Sequence, residues 1–354
     1  MTGRVAVAMS GGVDSAVAAA LLVEQGWEVI GITMCFNLAE FPNGNIADGN
    51  DGVADARRVA AQLGIRHFVA DMHGILEERV IKDFCREYLR GRTPNPCVRC
   101  NRYIKFGALF KKARLLGAQY FATGHYARIA KYKDSYFLKK GRDSSKDQSY
   151  FLYRLNRDDL RRIIFPLGIY TKERVKELAR EFNLPSADKS ASQEICFLKG
   201  GDYRDFLKAR LKSLTPAGAI VDEKGRVLGR HRGIAFYTIG QREGLGVALG
   251  YPAYIIGIDS GKNTITLGRK ADVLKREFLV KEPHFILRLP KKKVALKVKI
   301  RYNHREAAAD IWPGEDRVRV CFKKAQFAIT PGQSAVFYDK DTVAGGGIIE
   351  KVRD

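Results

Sequence analysis

Near its start the chain carries an apolar run, Val5 to Met9, broken by Ser10-Gly11-Gly12-Val13-Asp14-Ser15 and followed at once by a helical stretch from Ser15 to Glu24. A second apolar run, Val29 to Met34, comes next, so the segment reads as a βαβ unit. This unit restricts the fold more than any other feature, because a parallel strand pair joined by a helix belongs in a sheet covered on both faces. The pattern continues with a helix near Asp55 to Leu63, a strand at His67 to Ala70, helices from Ile75 to Arg90 and Ile104 to Leu116, and a buried-type strand at Gln119 to Thr123. It predicts an α/β, Rossmann-like, doubly wound parallel sheet. Residues 37–52, rich in Asn, Gly and Asp, are expected to form a long mobile loop beside it.

From about Gly218 the texture changes to short β-type runs: Ala219-Ile220-Val221, Ala253 to Ile258, Thr264 to Leu267, Val294 to Ile300, Val318 to Phe322 and Ser334 to Tyr338. Three domains are expected: 1–200 with the parallel sheet, a small mixed central domain at 202–272, and a C-terminal antiparallel β-barrel at 280–354. No run is apolar enough to cross a bilayer and no cleavable leader pattern is visible, so the chain is read as cytoplasmic. Lysines and arginines outnumber acids 62 to 39, giving a net charge of +23 spread along the whole length, as at Arg57-Arg58, Lys111-Lys112 and Lys291-Lys292-Lys293. Such a surface points to a polyanionic partner, nucleic acid above all.

The Ser10 to Ser15 turn lies between a strand and a helix, where backbone N–H groups and the helix dipole favour an anion. Glycines 11 and 12 let the backbone approach a phosphate closely, and the two serines can donate to its oxygens. Asp14 would repel phosphate unless a cation bridges them, which implies Mg²⁺. A Gly-Gly turn capped by Ser or Asp is the plain structural alternative. No G-x-x-x-x-G-K-[ST] occurs, which argues against a Walker-type site. The turn resembles the PP-loop of the ATP pyrophosphatases, which cleave ATP between its α and β phosphates and adenylate a substrate oxygen.

Six cysteines in a chain of 354 residues do not make a disulfide scaffold. Cys97 and Cys100 lie in Thr93-Pro94-Asn95-Pro96-Cys97-Val98-Arg99-Cys100-Asn101, a proline-stiffened loop opening a helix, with Arg99, Arg102 and Lys105 nearby. Thiols so placed are expected to be biased toward thiolate. With Cys196 they allow three readings: a persulfide carrier with a partner thiol, three ligands of an open-site iron–sulfur cluster, or inert packed thiols. Cys35, Cys85 and Cys321 carry no such context.

Taken in order, Ser10 to Ser15, Gly91-Arg92-Thr93-Pro94-Asn95-Pro96 with Cys100-Asn101 and Ile104-Lys105-Phe106, Ala122-Thr123-Gly124-His125-Tyr126, Asp143 to Leu152, Ile195-Cys196-Phe197, Thr238 to Gly246, Arg301-Tyr302 and Pro331 to Val336 resemble the tRNA-specific 2-thiouridylases along essentially the whole chain. The resemblance implies ATP-dependent 2-thiolation of the wobble uridine of tRNA, a sulfurtransferase reaction. It gives Ala8, Met9, Ser10, Gly11, Gly12, Val13, Asp14, Ser15, Met34 and Gly124 to ATP with Mg²⁺. Cys196 would receive persulfide sulfur, with Cys100 as the nucleophilic partner thiol. Asn95, Pro96 and Cys97 would meet the target base, and Lys146, Asp147, Gln148, Arg301 and Tyr302 the tRNA, with His125 and Gln333 close to it. A cysteine desulfurase or sulfur-relay protein is the implied donor. Many relatives have no cysteine where this chain has Cys97; three cysteines there leave room for a [4Fe-4S] cluster on Cys97, Cys100 and Cys196 as the sulfide carrier. Another PP-loop synthetase, or a non-catalytic RNA-binding protein, are the rival readings.

Overall fold

The computed structural model describes residues 3–36, 50–187, 195–198, 201–211 and 216–353. Residues 37–49 of the expected loop and Ser192, Gln193 and Glu194 lie outside the described residues, and 50–52 already belong to a helix. The chain opens with β1 (Arg4–Ala8), α1 (Val13–Glu24), β2 (Glu28–Cys35), α2 (Asn50–Gln62) and β3 (Arg66–Asp71). Helix α3 (His73–Leu76) runs through a π-helical segment, Glu77–Ile81, into α4 (Lys82–Leu89). In the same way α5 (Pro96–Arg99) runs through a longer π-helix, Cys100–Leu109, into α6 (Phe110–Leu115). Then come β4 (Tyr120–Thr123), the hairpin β5 (Ala127–Tyr132) and β6 (Ser135–Lys140), β7 (Ile163–Ile164), α7 (Lys172–Glu181) and α8 (Tyr203–Arg210). The rest is β: β8 (Gly218–Val221), β9 (Val227–His231), β10 (Tyr254–Asp259), β11 (Thr264–Gly268), β12 (Leu274–Phe285), β13 (Val294–Lys299), β14 (Ala307–Pro313), β15 (Arg317–Phe327), β16 (Ser334–Asp339) and β17 (Thr342–Arg353).

By compactness the chain divides into two units, Met1–Val80 with Cys97–Gly200 and Asp341–Val343, and Ile81–Pro96 with Gly201–Lys340 and Ala344–Asp354. The first is built on a parallel sheet in the order β3-β2-β1-β4-β7. The order reverses between β1 and β4, and in sheets of this kind the crevice beyond the carboxyl ends of those two strands is where a ligand sits. Helix α1, VDSAVAAALLVE, is buried from Val13 to Leu22 save Asp14. A helix apolar all round is a core helix; its small alanines let it lie close on the sheet, with Val175, Leu178 and Ala179 of α7 in the same cluster.

The second unit holds a four-stranded mixed sheet, β10-β11-β8-β9, in which only β11 and β8 run parallel. It also holds a six-stranded barrel, β12-β15-β14-β13-β16-β17, closed by β12 pairing with β17. Along β15 Val318, Val320 and Phe322 are buried while Arg317 and Arg319 are exposed, the period of two that a barrel wall requires. Val318, Val320 and Phe322 meet Phe278, Val298, Ile311 and Phe337 in the barrel core. The α/β class, mixed sheet and barrel are those the patterning predicts. Two helices depart from it: the one expected over Ile104 to Leu116 begins at Pro96 and winds as a π-helix, and the one expected over Ile75 to Arg90 is broken by a π-segment.

Candidate active site

The glycine turn stands at the carboxyl end of β1, in the crevice. Gly12 is the N-cap of α1 in extended backbone and no side chain caps the helix, so its first N–H groups are open to an anion. Ser15 Oγ accepts from Ser10 N at 3.1 Å and donates to Gly12 O at 3.0 Å, with Ser10 Oγ 3.3 Å away. These bonds curl the turn. Gly11 sits at φ +78°, and a Cβ there would fall 2.6 Å from Gly52 O and 2.8 Å from Asp55 Cβ of α2. Ala8 pairs with Ile32 and Thr123, Met9 N donates to Ile32 O, and Met34 lies at the end of β2 opposite Ala70. Met34 thus occupies the same strand-end layer as the turn.

Gly124, directly after β4, closes the crevice from the other side: a Cβ there would stand 2.7 Å from Asp14 C and 2.9 Å from Ser15 N. Only glycine lets the two backbones meet. Asp14 Oδ1 accepts from Lys172 Nζ at 2.5 Å and from Tyr126 OH at 2.8 Å. Lys172, the first residue of α7, is buried, and its backbone N donates to Asp143 Oδ2. Burial, then the neighbouring Asp14, pushes the Tyr126 phenol up, so it stays a donor. A cation of the protein therefore already sits on Asp14, whose side chain is one-third exposed. Lys172 was invisible in the sequence, since nothing in the spacing links positions 158 residues apart.

The thiols stand in the same unit. Cys97 and Cys100 are half-buried and Cys196 is exposed; Cys196 acts electrostatically on Cys97, and both Cys196 and Cys97 act on Cys100. Burial pushes Cys97 up to about 11 and Cys100 up to about 12, and the other thiols add to this, while Lys105 pulls both back. The expectation of thiolate is overturned: desolvation outweighs the single nearby cation. Arg99 and Arg102 both lie over the Tyr103 ring. Lys105 also acts on His125, which burial holds well below its ordinary value and hence neutral. His125 accepts or donates at 2.7 Å with Thr123 Oγ1 and packs on Phe106. Lys105 thus acts electrostatically on both the thiols and His125, the neighbour of Gly124. Among the described residues, no three His, Cys, Asp or Glu side chains are grouped to hold a metal ion.

The other expected contact residues mostly organise loops. Asp147 is buried and accepts from Gly141 N, Ser149 N and Ser149 Oγ. Gln148 exchanges bonds with the Tyr126 backbone at 2.9 and 3.0 Å, while Lys146 is half-exposed. In the second unit Gln333 Nε2 donates to Thr93 O at 2.9 Å and Pro94 O at 3.2 Å, and Thr93 N donates to Pro331 O. The loop carrying Asn95 and buried Pro96 is thereby fixed up to the residue before Cys97. Arg301 donates to Ala328 O and Thr330 Oγ1, and Lys299 lies over the Tyr302 ring at 5.3 Å. Both carboxylate oxygens of Asp147, the amide nitrogen of Gln333 and Nδ1 of His125 thus bond within the protein.

A five-stranded parallel sheet with an uncapped glycine turn at its switch point defines a PP-loop protein of the HUP type. The chain belongs to the family of tRNA-specific 2-thiouridylases. Residues 3–200 match the tRNA methyl transferase HUP domain, 204–269 the tRNA methyl transferase PRC-barrel domain and 275–349 the aminomethyltransferase β-barrel domain. It is 49% identical to the tRNA-specific 2-thiouridylase MnmA of Carboxydothermus hydrogenoformans, over 98% of both chains. It is 48% identical to MnmA 1 of Caldanaerobacter subterraneus, over 98% of both, and to MnmA of Moorella thermoacetica, over 98% of this chain and 99% of that one.

Proposed function

We propose that this protein is an ATP-dependent sulfurtransferase that replaces the C2 oxygen of the wobble uridine of tRNA with sulfur. The observation that carries the reading is the convergence of Cys97, Cys100 and Cys196 in the unit that holds the open glycine turn. A pyrimidine carbonyl oxygen is a very poor leaving group; attached to AMP it departs readily. The turn Ser10 to Ser15, with Ala8, Met9, Met34 and Gly124 around it, would hold ATP, and Mg²⁺ would bridge its phosphates near the exposed part of Asp14. Attack of the uridine oxygen on the α-phosphorus releases pyrophosphate.

Cys196, exposed and so within reach of a donor protein such as a cysteine desulfurase, carries the persulfide. Its terminal sulfur attacks C2, and AMP leaves. The Cys100 thiol then attacks Cys196 Sγ as its proton passes to the departing 2-thiouridine, which leaves a Cys100–Cys196 disulfide for an external thiol to reduce. Asn95, Pro96 and Cys97 meet the base, and Lys146, Arg301, Tyr302 and basic side chains of each unit hold phosphates. The division 1–200, 202–272 and 280–354 assigns nucleotide chemistry to the first part and RNA contact to the others. Among the described residues no helix is long and apolar enough to span a membrane.

The test is to incubate the protein with tRNA, Mg-ATP and a persulfide donor and to analyse nucleosides by mass spectrometry. 2-Thiouridine is expected, and Cys196→Ser should abolish it. Formation of 4-thiouridine or 2-thiocytidine instead would point to another PP-loop synthetase, and tRNA binding without AMP release to a non-catalytic RNA binder.

A further inference from the structure

The β5–β6 hairpin turns on two residues, Lys133 and Asp134, with Tyr132 paired opposite Ser135. Lys133 takes φ +51° there, a left-handed backbone that tight hairpin turns usually give to Asn, Asp or Gly. A lysine so bent adds nothing to the stability of the turn, and strain of this kind points to a use for the side chain. Tyr132 is 68% exposed, and the Lys133 ammonium stands 5.8 Å from its ring centroid. Residues that face each other on paired antiparallel strands share one side of the sheet, which puts Ser135 beside Tyr132. Arg157, from the 3-10 turn Arg157–Arg162, donates from Nη2 to Ser135 Oγ at 3.1 Å and so brings a guanidinium to that same side. Lys133 and Arg157 are exposed, and neither forms an ion pair among the described residues.

Strand β5 is the last in its sheet, and lysines on such an edge deter pairing with another chain. That accounts for Lys131, which pairs opposite Tyr136 and lies over its ring at 5.9 Å on the other face of the hairpin. It does not account for an exposed ring flanked by two cations. We propose that Tyr132, Lys133 and Arg157 form a contact for single-stranded RNA, in which the ring stacks on an unpaired base of tRNA and the two cations hold adjoining phosphates. The inference rests on the tRNA reading above and adds to it a site outside the motifs. Every base has a face for stacking, so the contact tolerates any sequence, while the cations tie it to the backbone. A protein partner would ask for a wider apolar patch than one ring provides.

Affinity for an unmodified tRNA transcript, measured by fluorescence anisotropy across a salt series, tests the contact. Tyr132→Ala is expected to weaken binding roughly tenfold at about 0.15 M salt with little change in the salt slope, since stacking releases no counterions. Tyr132→Phe keeps the ring and should bind as the wild type does. Lys133→Asn/Arg157→Gln should flatten the log–log salt dependence by about 1.4, two phosphate contacts' worth for a single strand. Asparagine suits the backbone at 133, so Lys133→Asn alone should hold or raise the melting temperature while still flattening the slope by about 0.7. Lys131→Gln, on the opposite face, should change affinity much less. Equal losses from Lys131→Gln and Lys133→Asn, equal losses from Tyr132→Phe and Tyr132→Ala, or wild-type binding in every variant overturn the contact, while wild-type binding and thiolation leave the tRNA reading standing. Slower thiolation from a cysteine desulfurase at unaltered tRNA affinity would assign the hairpin tip to the donor protein and overturn the contact too. A wild-type protein that does not bind tRNA would remove the reading itself.

Discussion

Lys172 Nζ lies 2.5 Å from Asp14 Oδ1, joining the first residue of α7 to the first turn of α1. In the proposed ATP site the pair lets a carboxylate stand inside the glycine turn, because the ammonium cancels a charge that would repel a phosphate. Lys172→Met should raise the Kd for Mg-ATP by at least tenfold. It should also cost on the order of 2 kcal/mol, below the 3–5 kcal/mol of a fully buried pair because Asp14 is partly exposed. Asp14→Asn/Lys172→Met should recover most of the melting temperature but not ATP binding by calorimetry. Unchanged ATP affinity in the single variant would leave the pair with a purely structural role.

Gly124→Ala tests the closure of the crevice. The new methyl would overlap the Asp14 and Ser15 backbone, so β4 and α1 must part at the glycine turn. Adenylation, followed as AMP release, should fall by two orders of magnitude or more, in line with the sensitivity of catalysis to about 1 Å of misplacement. Near-normal AMP release would mean that the turn is not where ATP reacts.

Because burial holds Cys100 near 12 and Cys97 near 11, only about one Cys100 in ten thousand is ionised at pH 8. Alkylation followed by mass spectrometry should modify Cys196 first, with Cys100 reacting slowly and about tenfold faster per pH unit, without a plateau below about pH 10. The same shift bears on stability. Unfolded thiols ionise near pH 9 while the folded ones do not until about 11 to 12, so their contribution is intact below 9 and is lost as pH climbs through that window. A plateau near neutral pH would show that a cation other than Lys105 reaches the thiols.

Gln333→Glu keeps the shape of the side chain but removes the two N–H donors that hold Thr93 O and Pro94 O. Carboxylate oxygens facing carbonyls repel, so the Asn95-Pro96 loop should loosen. Thiolation of tRNA should fall at least tenfold while ATP affinity is unchanged. An equal fall in both would place Gln333 closer to the nucleotide than its bonds suggest.

Local pattern made β1, the glycine turn, α1 and the barrel wall legible, since each is fixed by periodicity or by turn chemistry a few residues long. The β5–β6 hairpin escaped notice because Ala127 to Lys140 alternates Lys, Tyr and Arg with short apolar residues. Motif order singled out Gln333, Asp147 and His125, yet whether a polar side chain meets the ligand or holds a loop depends on long-range partners such as Thr93, Gly141 and Thr123. The sign of the thiol shift was equally hidden. Charges near Cys100 can be counted in the sequence, but burial cannot, nor that Arg99 and Arg102 lie over Tyr103.

The wide winding from Cys100 to Leu109 has an evolutionary consequence. Five residues on, Lys105 stands roughly 50° round the axis from Cys100, whereas ordinary α-helical winding would put it roughly 140° away. Loss of one residue from this stretch would relax it to the narrower helix and swing the ammonium off the thiol face. The spacing from Cys100 to Phe110 should therefore resist insertion and deletion across the lineage even where the side chains between them drift.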